Sequence, residues 1–405
     1  MENIRTGVNK ERLITLFEQL ISIDSPSYGE RNMCDFLKGK LSSLGIEAQE
    51  DDAGIRLNEL RGISNEQDAG RNSGRNAEHD SNVNSADMSC GNLYAYIEGS
   101  VDLPPLLLSA HMDTVEPSRG KQMVIHDDGR ITSKGNTVLG SDDCAGIVAI
   151  LEALSVLREN NIPHRPLEIL FTVAEEPYGP GAGLFDFSGL RSKETYVFDL
   201  SGPVGGAAYQ APAILSFKAT FTGRSAHAGF EPEKGIHAIK AASLAASRIS
   251  CGHVGDSTVN IGTITGGKAN NIVPDICTFT GEIRSYSDET ALGILQEIIT
   301  IAKDSAAEFN AAADVEHTIH IHAYCTELSH PVVQRFESAC KELDLPVNLS
   351  PTFGGSDHNH FAHHGINGLV VATAMNNCHS CEEYTTVDEL ERAAKLALSL
   401  ILQDM

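Results

Sequence analysis

The chain has 405 residues, long enough for two packed units or one unit carrying a large insertion. Its 30 Lys+Arg against 55 Asp+Glu give a net charge of −25, which repels nucleic acid and anionic membrane surfaces and points to small molecules or metal cations as partners. Nine cysteines, an odd number scattered from Cys34 to Cys381, fit free thiols in a reducing compartment better than a disulfide framework.

The first residues, MENIRTGVNKERLITLFEQL, lack the apolar run of a signal peptide, and no later stretch reaches the roughly 18 apolar residues of a membrane span. A cytoplasmic protein with no membrane partner is expected. ERLITLFEQLISI and NMCDFLKGKLSSLGI space apolar residues three and four apart, which predicts two amphipathic helices. From 65 to 90 the sequence is nearly devoid of large apolar residues, and a polar, flexible surface insertion is expected there.

Next, the short apolar runs NLYAYIEG, PPLLLSA, PLEILFTVA and TYVFDL alternate with a helix through AGIVAILEALSVLREN, the pattern of an α/β unit with a largely parallel sheet. The style then changes. ILSFKATFTG, STVNIGTITGG and DICTFTGEIRS alternate as half-buried strands, interleaved with the helices GIHAIKAASLAASRIS and DETALGILQEIITIAKDSAAEFN. An α/β pattern resumes with PVVQRFESACKEL, GLVVATAM and TVDELERAAKLALSLIL. The fold expected is therefore an α/β domain, residues 1–208 and 326–405, interrupted by an inserted α+β domain with an antiparallel sheet, residues 209–325.

Acidic and histidine residues gather where parallel strands end, the edge at which open α/β sheets bind ligands. His111 and Asp113 follow PPLLLSA, Glu175 and Glu176 follow ILFTVA, Asp199 ends TYVFDL, His379 follows GLVVATAM, and Asp142 and Asp143 open a helix. Read singly, an acidic pair is a helix cap or a solvated turn. Five strand or helix ends converging on carboxylates and imidazoles are the ligand set of a hydrolytic zinc site, with more carboxylates than one ion uses. One carboxylate must stay free to take a proton from the attacking water.

SAHMDTV, LGSDDCAG, TVAEE, the FDL aspartate, GRSAHAG, GGKANNIVPD with GEIRS, and GGSDHNHF with NNCHSCEEY occur in this order. The set resembles the dinuclear-zinc exopeptidases related to peptidase T and glutamate carboxypeptidase, and the peptidase T-like branch in particular. That resemblance implies a zinc-exopeptidase catalytic domain with an inserted lid and dimerisation domain, and two Zn2+ per subunit, with Co2+ or Mn2+ as alternatives. His111 and Asp199 would hold one ion, Glu176 and His379 the other, and Asp142 would bridge them. Asp113 would orient His111, and Glu175 would be the general base to a zinc-bound hydroxide, its neighbour pointing the other way along an extended backbone.

His227 is similar to a histidine that reaches across a homodimer to stabilise the oxyanion. Arg284 and Asn271 resemble residues holding the substrate's carboxylate or backbone, although an arginine ending an exposed strand is by itself more often solvated. The GGSD turn, Gly354 to Asp357, would let backbone approach the substrate.

Three features depart from the pattern. Cys144 stands where the family has lysine, PYGPGAG replaces a Gly-Leu-rich stretch, and His358 and His360 are additional histidines, read as helix surface rather than a third metal site. The expected function is hydrolysis of short peptides in the manner of a tripeptide aminopeptidase. Carboxypeptidase or N-acyl-amino-acid amidohydrolase activity is the alternative on the same centre. A redox or zinc-sensing protein built on Cys378 and Cys381 is a remote third, because no second CxxC exists in the chain.

Overall fold

The computed structural model describes residues 7–62 and 90–403. The polar stretch at 65–90 lies outside the described residues apart from Cys90. Among the described residues no helix is long and apolar enough to cross a membrane. The chain forms two compact units: a first of the residues up to Tyr209 with Thr326–Pro351 and the chain from Ser356 onward, and a second of Gln210–Cys325 with Thr352–Gly355.

The first unit begins with α1 (Lys10–Ile21) and α2 (Arg31–Ser43), and the residues in helical spacing are the ones buried: Leu13, Phe17 and Leu20, then Met33, Leu37 and Leu41. Asn9 caps α1 by accepting the Arg12 amide at 3.0 Å. There follow β1 (Ala48–Glu50), α3 (Ala53–Leu60), β2 (Leu93–Ile97), β3 (Leu106–His111), the hairpin β4 (Met123–Ile125) and β5 (Arg130–Ser133), α4 (Ser141–Glu159), β6 (Leu167–Thr172), α5 (Pro180–Gly183), β7 (Glu194–Ser201) and β8 (Gly206–Ala211). Strands β3 and β6 are buried at every position, as strands covered on both faces must be. Helix α4 is buried continuously from Asp143 to Leu157, so it is a core helix rather than an amphipathic one. Gly146 lets it lie against β7, since a Cβ there would sit 2.2 Å from the Phe198 carbonyl oxygen.

The second unit contains β9 (Ala213–Thr222), α6 (Ala238–Arg248), β10 (Gly252–Val254), β11 (Ser257–Gly266), β12 (Ile276–Ser285), α7 (Asp288–Ala307), β13 (Ala312–Ile321) and β14 (Tyr324–Cys325). Its sheet runs β10-β11-β12-β9-β13, every pairing antiparallel. Helices α6 and α7 pack on β9 and β12 around Phe217, Phe221, Phe279, Ile283, Leu295 and Ile298. The end of β8 pairs with β14 within this unit, through Gln210 and Ala211.

The chain then returns through α8 (Pro331–Glu342), β15 (Asn348–Pro351), α9 (Asp357–His363), β16 (Asn367–Met375), β17 (Tyr384–Thr386) and α10 (Val387–Leu402). The main sheet of the first unit runs β1-β2-β6-β3-β7-β16-β8. Its central strands β6, β3, β7 and β16 are parallel, and antiparallel β2 and β8 flank them. Helix α4 packs against β3, β7 and β16 and against α1 and α10. The result is an α/β fold with a mostly parallel main sheet and a separate antiparallel sheet. Strands β17, β5 and β4 form a small third sheet.

One expectation needs correction. Helix α9 forms with a capping box between Ser356 and Asn359, but His358 is completely buried rather than on its surface. The ring lies against β16, where a Cβ on Gly368 would come within 2.7 Å of it. Burial pushes the His358 pKa down to about 3 from its ordinary 6.5, against a backbone hydrogen bond with Gly368. The unfolded chain therefore takes up a proton as pH falls through about 6.5 while the folded chain does not, so stability is lost from that pH downward until about 3. Urea unfolding of the metal-free protein at pH 7.5 and pH 5 should show this loss. In His358→Gln the pH difference should shrink by up to about 2 kcal/mol, at ~1.4 kcal/mol per pH unit. An unchanged pH dependence would show that His358 is not buried neutral.

Candidate metal centre

Because β6, β3, β7 and β16 are adjacent and parallel, their C-terminal ends share one edge of the sheet. His111 is the last residue of β3 and Asp199 lies near the end of β7, while Glu175 and Glu176 follow β6 and His379 follows β16. Asp142 stands in the first turn of α4, where the backbone is not helical (φ −83°, ψ 99°). The Asp142–Asp143 peptide is cis.

Two side-chain triads result. His111 Nε2 lies 3.1 Å from Asp142 Oδ1 and 3.7 Å from Asp199 Oδ1. His379 Nε2 lies 3.3 Å from Asp142 Oδ2 and 2.9 Å from Glu176 Oε2. Within each triad the potential ligand atoms are all within 4.8 Å of one another, and Asp142 belongs to both.

The electrostatics show a deficit of positive charge. Burial, aided by the negative charge of Asp142 and opposed by hydrogen bonds to His379 and His111, pushes Glu176 up to about 7 and Asp199 up to about 6. Glu175 is raised well above the usual carboxylate range by burial and by the charge of Asp199. His379 is raised to about 10 by its hydrogen bonds to Asp142 and Glu176. Glu176 Oε1 is buried without a hydrogen-bond partner. Imidazole nitrogens and carboxylate oxygens converging with surplus negative charge and an unused oxygen are what one or two divalent cations require, so the donor set fits metal ions.

Around the triads is a ring of buried carboxylates that grip main chain. Asp113, wholly buried, accepts the Glu175 amide at 2.8 Å, the Glu176 amide at 3.2 Å and the Ser27 hydroxyl at 2.7 Å, and its Oδ1 lies 3.3 Å from His111 Nδ1. Asp143 accepts the His111 amide at 3.1 Å and the Gly146 amide at 3.0 Å. Glu30 accepts the Tyr28 amide at 2.7 Å and the Ala174 amide at 3.0 Å. Glu383 accepts from Gly140 N at 2.8 Å, Ser141 Oγ at 2.6 Å and Asp142 N at 3.0 Å.

Sequence reasoning missed Glu30 and Glu383. For Glu383 the only signal was an acidic residue close to a ligand loop, which a solvated surface produces as well, and Glu30, just before α2, had not even that. It also expected Glu175 and Glu176 on extended backbone. Instead Ala174 has φ +52° and a turn begins at Glu176, because Asp113 gathers both successive amides and bends the chain around itself.

His227, Asn271 and Arg284 lie in the second unit. His227 and Asn271 are neighbours: His227 bridges to Ile272, and the Ala228 amide donates to the Asn271 carbonyl at 2.9 Å. Both are exposed, and the His227 ring lies 4.4 Å from that of Phe230. Arg284 is not merely solvated. Its Nε donates to Glu282 at 2.6 Å and its Nη1 to the Phe353 carbonyl at 2.7 Å.

The cysteines of the CxxC are both free, and no triad contains a cysteine among the described residues. Burial raises the Cys378 thiol pKa, so it is not an activated thiolate. Cys144 is buried and pushed up to about 12 by that burial, with the charge of Lys121 acting in the opposite direction. Lys121 is itself buried, donating to the Ile23 carbonyl at 3.2 Å, so a cation stands beside position 144 although that residue is not lysine. PYGPGAG forms a turn and α5, and a Cβ on Gly179 (φ +63°) would come 2.9 Å from Asp357 Oδ1.

The chain matches the family described as "Peptidase family M20/M25/M40" over residues 107–403. The Bacillus subtilis protein YqjE, described as uncharacterized, is 32% identical over 97% of this chain and 98% of its own length. The crystal structure of a tripeptidase from Staphylococcus aureus superposes with a TM-score of 0.87 at 29% identity, covering 97% of this chain and 98% of that one. That of aminopeptidase PepT from Bacillus cereus has a TM-score of 0.84 at 32% identity, again over 97% and 98%. With a parallel-sheet edge carrying two carboxylate–imidazole triads, and a family match across most of its length, the chain belongs to peptidase family M20/M25/M40.

Proposed function

We propose that this protein is a two-metal exopeptidase acting on short peptides, with removal of the N-terminal residue of tripeptides as its principal reaction. The observation that carries this reading is the sharing of Asp142, whose two oxygens face different imidazoles at 3.1 and 3.3 Å. The similarity to the tripeptidase and to aminopeptidase PepT supports the substrate class.

In this reading His111 and Asp199 would hold one ion, Glu176 and His379 would hold the other, and Asp142 would be shared between them. The nitrogen and oxygen donors suit zinc, with cobalt or manganese as alternatives. Such ions, when bound, acidify water and polarise the scissile carbonyl. Glu175, half-buried beside the triads, takes the proton of the attacking water and returns it to the departing amine. Asp113 keeps the His111 ring oriented and holds the two glutamate amides in place.

The second unit is read as a lid and dimerisation domain. In it His227 steadies the oxyanion across a homodimer, and Arg284 and Asn271 hold the substrate's carboxylate or backbone. The guanidinium of Arg284 is pre-oriented for this by Glu282 and the Phe353 carbonyl. A cytoplasmic location completes the proposal.

Three measurements check it. Glu175→Gln should keep two metal ions per chain by elemental analysis while kcat falls by about 10²–10⁴-fold, the usual weight of a general base; near-normal turnover removes Glu175 from that role. Tripeptides blocked at the amino end should resist cleavage while carboxyl-amidated ones are cut, and the reverse outcome assigns carboxypeptidase or N-acyl-amino-acid amidohydrolase activity. Mixing His227→Ala with Glu175→Gln subunits should restore activity through hybrid dimers, and no recovery despite subunit exchange removes His227 from the partner's site.

A further inference from the structure

Glu383 lies four residues after His379, on the same loop beyond β16, and is 1% exposed. All three hydrogen bonds of its side chain reach one short stretch remote in sequence: Gly140 N, Ser141 Oγ and Asp142 N, at 2.8, 2.6 and 3.0 Å. That stretch has little support of its own. The cap position of α4 is Gly140, with φ +78° and no capping side chain, and Asp142 and Asp143 depart from helical geometry. Glu383 thus supplies, from outside the helix, the acceptor that an N-terminal Ser, Thr or Asp would provide from within.

The other end of the connection is also loosely held. The His379 side chain is 55% exposed, so packing does not fix it. The base of its loop is closed by the Asn376–Tyr384 pair, whose amides and carbonyls exchange two 3.0 Å hydrogen bonds, and by Glu383.

We propose that Glu383 is a positioning residue that locks the His379 loop onto the backbone of Asp142, so that one buried carboxylate sets the placement of two ligands more than two hundred residues apart. The proposal rests on the two-metal reading above. Because Asp142 is shared by both triads, loosening its backbone weakens both metal positions, whereas removing His379 weakens only one.

The test titrates metal-free full-length protein with Zn2+ against a chromogenic chelator, alongside the melting temperature of the metal-free form. Wild type is expected to bind two ions. Glu383→Ala should bind both about 10–100-fold more weakly, the range for losing a group that orients ligands. Glu383→Gln, which keeps the shape but turns one acceptor into a donor, should weaken both by a smaller factor. His379→Ala should weaken one ion alone.

A purely structural Glu383 would lower the melting temperature and leave both affinities at wild-type values, and that result overturns the proposal. Should the alanine variant fail to fold, the glutamine variant carries the same decision: both ions weakened supports it, and unchanged affinities overturn it. If wild type binds fewer than two ions, or His379→Ala keeps two at wild-type affinity, the two-metal reading itself fails, and the proposal with it.

Discussion

Asp142 accepts one imidazole on each carboxylate oxygen, and much of the first unit is arranged to hold it there. It rides on α4, a helix buried from Asp143 to Leu157 and packed against three strands of the central sheet. A helix clamped in this way gives its first turn a fixed position relative to the strand ends that carry His111 and Asp199. Long-range order is thus converted into sub-ångström placement of a few side chains, which is what a metal centre demands.

The constraint has an electrostatic cost. Burial at the sheet edge raises the pKa of Glu175, Glu176 and Asp199, and the charges of neighbouring carboxylates add to the rise. The chain relieves part of this by pointing Asp113, Asp143, Glu30 and Glu383 at backbone amides, where partial positive charge is available without another ionised group. The remaining surplus sits on the triads, where a divalent cation is the natural counter-charge.

Much of this was legible in the sequence for a physical reason. Long apolar runs and helical spacings report burial, so β3, β6, β7, β16, α4 and α10 could be read directly, and with them the strand ends where His111, Asp199, Glu176 and His379 lie. Short elements could not be read: β4, β5 and β17 have three or four residues each, too few to display a period. Buried and solvated polar groups also look alike as letters. The sequence reads His358 as helix surface whereas it is buried, and Glu383 and Glu30, each 1% exposed, are as letters indistinguishable from the many surface acids of a strongly anionic chain. What marks Glu30 and Glu383 out is a donor from a segment remote in sequence, Ala174 for the one and Gly140 to Asp142 for the other.

The carboxylates around the centre bind main-chain N–H groups at Ala174, Glu175, Glu176, Gly140, Asp142 and His111. Every amino acid but proline carries that donor. These main-chain contacts are therefore made without using the side chains of the gripped residues, which leaves those of His111, Asp142 and Glu176 free for the triads. Proline is barred from the gripped positions, and Pro177 stands immediately after Glu176, at the first place in that loop where its missing donor does no harm.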